Sequence, residues 1–145
     1  MTTESRAEGA LGPTLPSWAL RAGIGVAGFG TAAAACAWAS ASVFVLILLA
    51  GLAVAAAGLP ASHWPSVLLA VCAVVVLAGA DGITGWTAGT MFGMHATHVL
   101  AAVGAVVPVD ASVERAALRP SLERFVRVQM GAQLLVLFAW LLTRG

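Results

Sequence analysis

The sequence predicts an all-α protein, a polytopic transmembrane helical bundle of five spans with the N-terminus cytoplasmic and the C-terminus external. Three observations lead to that class. First, 61% of the 145 residues are hydrophobic, only 9% are charged, and the mean hydropathy is +0.99, whereas soluble domains carry about 25% charged residues. Second, the apolar residues gather into five runs, at about 22–39, 43–59, 66–83, 87–107 and 125–143, each near the roughly 20 residues that cross a bilayer as a helix. Third, the arginines and tryptophans sort by side. Five spans put Arg6, Arg21, Arg115, Arg119, Arg124 and Arg127 on one side and leave Arg144 opposite, and the positive-inside rule makes the crowded side cytoplasmic. Trp18 and Trp64 then fall at the inner interface, and Trp38, Trp86 and Trp140 at the outer one, the level that amphipathic rings favour.

So few charges on so much Ala, Val and Leu suit hydrocarbon, provided the backbone bonds itself within helices. Residues 1–21 read as a short polar cytoplasmic tail and 22–145 as a single transmembrane bundle, with no soluble stretch long enough for a second core. All seven basic residues are arginine, a usage that fits a GC-rich bacterial genome. The expected location is therefore a bacterial cytoplasmic membrane. Cys36 and Cys72 are the only cysteines, too few for a disulfide framework. They are expected at different depths, as small buried residues.

The first run is rich in small residues, including Gly23, Gly25, Gly28 and Gly30. In lipid such residues expose backbone for close contact, with the fourth run as a partner. Its GIGVAG has no preceding strand, so a dinucleotide fingerprint is excluded. Arg21 ahead of an apolar run, followed by AWASA, also resembles a signal peptide, but cleavage there would start the mature chain inside the next span. The break after it, Ser40–Ser42, contains neither Gly nor Pro, yet an unbroken helix over both runs would be too long to span, and a hairpin is expected. The second run, VFVLILLAGLAVAAAG, is ordinary lipid-facing structure. The third opens on SHWPS, where Pro65 suits a first helical turn, and ends near Asp81, expected to be an interfacial loop residue.

The fourth run combines packing and chemistry. Gly85, Gly89 and Gly93 recur at steps of four and form a ridge for a neighbouring helix. At about 100° per residue, Met91, His95 and His98 lie within an arc of roughly 60°, flanked by Thr87 and Met94. Thioether and imidazole are ligands that copper or haem iron accepts, but a complete site needs more donors, and His63 is the only other histidine. Depth counted from Val107 and from Phe125 puts His98 and Gln133 at similar levels, about 14 and 12 Å from the inner end. A His98–Gln133 hydrogen bond is therefore expected, with Gln129 on the same face as Gln133 and His95 left without a mate.

The connection PVDASVERAALRPSLER is expected to be a cytoplasmic loop, with Asp110 capping a short helix, Pro120 ending it and Ser121 capping the last span. Its surplus of Arg115, Arg119, Arg124 and Arg127 would meet anionic headgroups or a partner protein. No nucleophile stands beside a base at a catalytic spacing, and HATH lacks the glutamate of the HExxH helix, so no enzyme activity, cofactor or nucleic-acid partner is expected. The leading expectation is a structural or accessory subunit, packed against itself or another membrane protein through the glycine faces. A small transporter or channel with a path past Thr87, Met91, His95 and His98 is the alternative, with haem or copper binding behind it.

Overall fold

A computed structural model describes residues 12–144 of the chain. Five helices follow in order: α1 Ser17–Trp38, α2 Val43–Gly58, α3 Trp64–Gly79, α4 Gly85–Val106 and α5 Arg115–Arg144. Two three-residue strands, β1 Thr14–Pro16 and β2 Ser112–Glu114, stand immediately before α1 and α5. The all-α expectation holds. Two of the helices, α1 and α5, are long and apolar enough to cross a membrane, and α2 and α3 are shorter apolar helices of 16 residues. Although α4 matches α1 in length, it carries three threonines and two histidines among its 22 residues.

The breaks have local causes. Ser40 adopts φ of 50°, the left-handed conformation that ends many helices. Ala39 N–H reaches Ala35 O and Ala41 N–H reaches Cys36 O, both at 2.9 Å, so the last carbonyls of α1 are satisfied without a glycine. Between α2 and α3, Ser62 N–H returns to Leu59 O at 3.0 Å, and Pro65 sits in the first turn of α3. Gly82, at φ of 73°, turns the chain toward α4. Thr84 caps that helix, its hydroxyl accepting from Trp86 N–H at 3.2 Å while Thr84 N–H donates to Thr87 Oγ1 at 3.0 Å, a reciprocal capping box.

The most extensive packing joins α1 to α4, and small residues permit it. A Cβ on Gly93 would clash with Thr31 Oγ1 and lie 3.1 Å from Thr31 Cα, and one on Gly28 would lie 3.0 Å from Leu68 Cδ2 and 3.2 Å from Ala53 Cβ. Gly23 and Gly89 are looser, with Leu100 at 3.7 Å and Ala34 at 3.8 Å, and nothing stands within 4 Å at Gly85. Ile24, Ala32, Ala35, Cys36, Leu49, Ala53, Leu68 and Cys72 fill the space among α1, α2 and α3. Both cysteines are free and buried there.

The tryptophans divide between two ends. Trp38 Nε1 donates to Gly82 O at 3.0 Å, and Trp140 stands beside Ile83 and Thr84, so Trp38, Trp86 and Trp140 share the end where α4 begins. Trp18 and Trp64 occupy the other end, near Arg21, whose guanidinium donates to Gly58 O at 2.7 Å.

Three sequence expectations need correction. The polar tail does not reach residue 21, because α1 already starts at Ser17; residues 1–11, with Arg6, lie outside the described part. The connection after α4 is not a loop to residue 124. Residues 115–124 are the first turns of α5, and neither Pro120 nor Ser121 marks a boundary. Pro120 stands inside the helix, where it cannot donate to Ala116 O, yet α5 continues through it. Asp110 lies in a turn and caps no short helix, since β2 follows it. That strand pairs antiparallel with β1, Leu15 opposite Val113, and Ser17 N–H extends the ladder to Ala111 O at 3.1 Å.

The glycine contacts set an order of tolerance. Gly93→Ala and Gly28→Ala should each destabilise by about 1–3 kcal/mol through overpacking, whereas Gly89→Ala and Gly85→Ala should be close to neutral. Thermal unfolding of the purified variants in detergent checks this, and equal losses at all four positions would contradict the close-contact account.

Candidate polar site between α4 and α5

Only α4 among the helices packs extensively on α5, and Gln129 is the single buried residue of that 30-residue helix. The contact is built from polar and aromatic pairs. Gln129 Oε1 lies 3.0 Å from His95 Nδ1; an amide oxygen only accepts, so His95 carries its proton on Nδ1 and leaves Nε2 as an acceptor in the neutral ring. Gln133 Nε2 donates to Ala88 O at 3.0 Å. Phe125 stacks at 4.7 Å from the His95 ring and meets Phe92 edge-on, with centroids 5.6 Å apart. The amide nitrogen of Gln129 has no partner.

The expected His98–Gln133 bond is not formed, and His95, expected to lack a mate, has one. Register explains both. The depth count began at Phe125, but α5 begins at Arg115, ten residues earlier, which moves every α5 residue about 15 Å outward along α4. Gln133 thereby reaches the first turns of α4, and Gln129 arrives at His95.

His95 and His98 share a furrow of about 620 Å³ with Val99, Ser121, Arg124 and Phe125. The opposite flank of α5 holds a separate, almost wholly apolar cavity of about 450 Å³ between Leu20, Leu100, Leu118 and Leu122. Met91 does not line the furrow and is partly exposed outside it. Thr87 is buried in the capping box, so the four residues of the expected path are divided. Thr31 and Thr97, which the sequence reading passed over, meet at 3.3 Å in the α1–α4 seam. Their signal was available, since Thr97 follows Gly93 at a helical step of four.

The four arginines of the expected loop all lie on α5. Arg119 pairs with Glu123 at 2.8 Å, both side chains well exposed, a contact worth about 0–1 kcal/mol. Arg127 Nε donates to Glu123 O at 3.3 Å, Arg124 lines the furrow, and Arg115 N–H closes the strand ladder on Pro13 O at 3.1 Å. Among the described residues no three His, Cys, Asp or Glu side chains group as a metal site; His63 stands at the start of α3.

No protein-family model matches the chain, and neither does any curated protein or solved structure.

The His95–Gln129 bond should appear as coupling in a double-mutant cycle. His95→Leu and Gln129→Leu are expected to interact by about 0.6 kcal/mol, the average for such bonds in membrane helices, while His98→Leu and Gln133→Leu should add without coupling. Unfolding free energies of the single and double variants decide it, and coupling confined to the second pair would restore the register counted from Phe125.

Proposed function

We propose that the protein is a structural or accessory subunit of a bacterial cytoplasmic membrane, crossing it five times with the N-terminus inside, and that it attaches to a different membrane protein through the outer face of α5. Gly93, Gly28, Gly89 and Gly23, which suggested an interface, are taken up internally, at Thr31, Ala53, Leu68, Ala34 and Leu100, and Gly85 of that set meets nothing within 4 Å. What is left over is α5. Its Leu134, Leu135, Phe138, Leu141 and Leu142 are all exposed, and a Cβ on Gly131 would meet nothing within 4 Å.

Arg127 is the observation that carries the reading. Two residues from Gln129, which meets His95 near the middle of α4, it stands exposed at a level where hydrocarbon surrounds a five-span bundle. An arginine at the centre of a spanning helix costs about 2.5–3.5 kcal/mol on insertion scales, and such residues commonly face a partner. A second copy across a twofold axis along the membrane normal would oppose Arg127 to Arg127. A foreign helix with a carboxylate at that level removes the penalty, so the partner is a different protein with an acidic group facing Arg127, Gly131 and Leu134. A transport path gains no comparable support, because Ile24, Leu49 and Leu68 occupy the bundle interior and Met91 and Thr87 lie apart from the furrow.

A photo-crosslinking side chain at Leu134 tests the proposal in native membranes. One discrete adduct with another membrane protein is expected, weakened by Arg127→Glu and restored when the partner's carboxylate is changed to arginine. Adducts only with a second copy of the chain, or none, would overturn it.

A further inference from the structure

We propose that the furrow between α4 and α5 binds an anionic phospholipid of the arginine-rich leaflet, with the lipid phosphate held by Arg124, Ser121 and His98. The inference rests on the five-span membrane reading and not on the existence of a protein partner. The furrow combines groups that a water-filled crevice or a bare lipid-facing groove would not need together. Val99, Val103 and Val106 line it together with Arg124, Ser121 and the two histidines. Arg124 has no carboxylate to neutralise it: among the described residues the one ion pair joins Arg119 to Glu123, on another face of the helix. His98 is exposed and forms no side-chain hydrogen bond among those described.

A phosphate fits that set. Arginine binds it with two parallel charge-assisted bonds, and a hydroxyl and an imidazole N–H supply further donors. The polarity along the furrow has the correct sense for this leaflet. Outward of Arg124, the same stripe of α5 continues through Val128 and Leu135, both exposed and apolar, and the His95–His98 face of α4 continues outward to Met91. These side chains form a track for acyl chains running toward the bilayer centre. Inward, the furrow is lined by Val107 and by Val113, two residues before Arg115. A headgroup seated at Arg124 lies well above the inner end of α4, so the leaflet thins locally beside this helix, as it does around other intramembrane arginines.

The full-length protein in nanodiscs, with native mass spectrometry of the lipids retained on release, tests the inference. Resistance to alkaline extraction from membranes is measured first, and loss of that resistance would refute the membrane reading itself. In discs mixing phosphatidylglycerol and phosphatidylcholine, the wild type is expected to retain one phosphatidylglycerol preferentially. Arg124→Gln should weaken its retention about tenfold or more, as loss of a charged hydrogen bond requires. Ser121→Leu fills the furrow without changing charge and should do the same, which guards against a folding defect in either variant. Arg115→Gln removes one charge from the same helix outside the furrow and should leave retention intact. Equal retention of the two lipids, equal losses in all three variants, or displacement of the lipid by millimolar inorganic phosphate would each overturn a lipid site, the last in favour of a free-anion site.

Discussion

The approach of α1 to α4 at Gly93 and Thr31 is the contact on which the remaining architecture depends. Close association of two helices draws on tight van der Waals packing and on interhelical hydrogen bonds. Both occur in this seam. With no side chain at Gly93, the Thr31 backbone comes within reach, and that proximity lets the Thr31 and Thr97 hydroxyls meet inside the bundle at 3.3 Å. Thr31 also donates to Ala27 O at 2.7 Å, so the hydroxyl is satisfied in more than one way. Once α1 is held against α4, its other faces receive α2 at Gly28 and Ala53 and α3 at Leu68.

Against that seam, α5 is attached in a different manner. Its contact consists of an amide on an imidazole, an amide on a backbone carbonyl and an aromatic cluster around Phe125, with open furrows on both flanks. Directional bonds fix register, which smooth apolar packing does poorly. They also separate at lower cost than an interlocked glycine ridge. The described residues therefore form four helices packed through small residues and a fifth held by a few specific pairs, and the exposed arginines among them belong to the fifth.

Helix number and most helix positions were legible in the sequence because runs of apolar residues and their interruptions are local features. Gly93 and Gly89 were legible as packing residues for the same reason, since a step of four places them on one face whatever lies opposite, and Gly28 because it stands in a run of small residues. Register between helices was not legible. It depended on where α5 begins, and residues 115–124, with four charges and a proline, have the composition of a loop. The local composition does not show their helicity: Leu118, Leu122 and Phe125 line an apolar cavity together with Leu20 of α1 and Leu100 of α4, and the helix runs on through Pro120. Three-residue strands leave no periodicity to detect. Consequently Gln129, Gln133, His95 and His98 were each recognised as polar residues in need of partners, while the pairing among them depended on an offset that no local pattern encodes.

The strand ladder bears on the order in which the chain assembles. Its halves flank four helices in sequence, and Ser17 Oγ binds Val109 O across 92 positions. Such a pairing cannot form until the intervening helices have been synthesised, and contacts of this separation generally form late. Leu15–Val113 and its neighbours act as a clasp that closes only after four helices have passed, and the clasp fixes the direction in which α5 leaves. A nascent chain that stalled before residue 112 would hold the glycine-packed helices with β1 unpaired, an open edge that other strands can occupy. Synthesis of β2 and then α5 therefore both shields the bare edge of β1 and lays down the exposed helix.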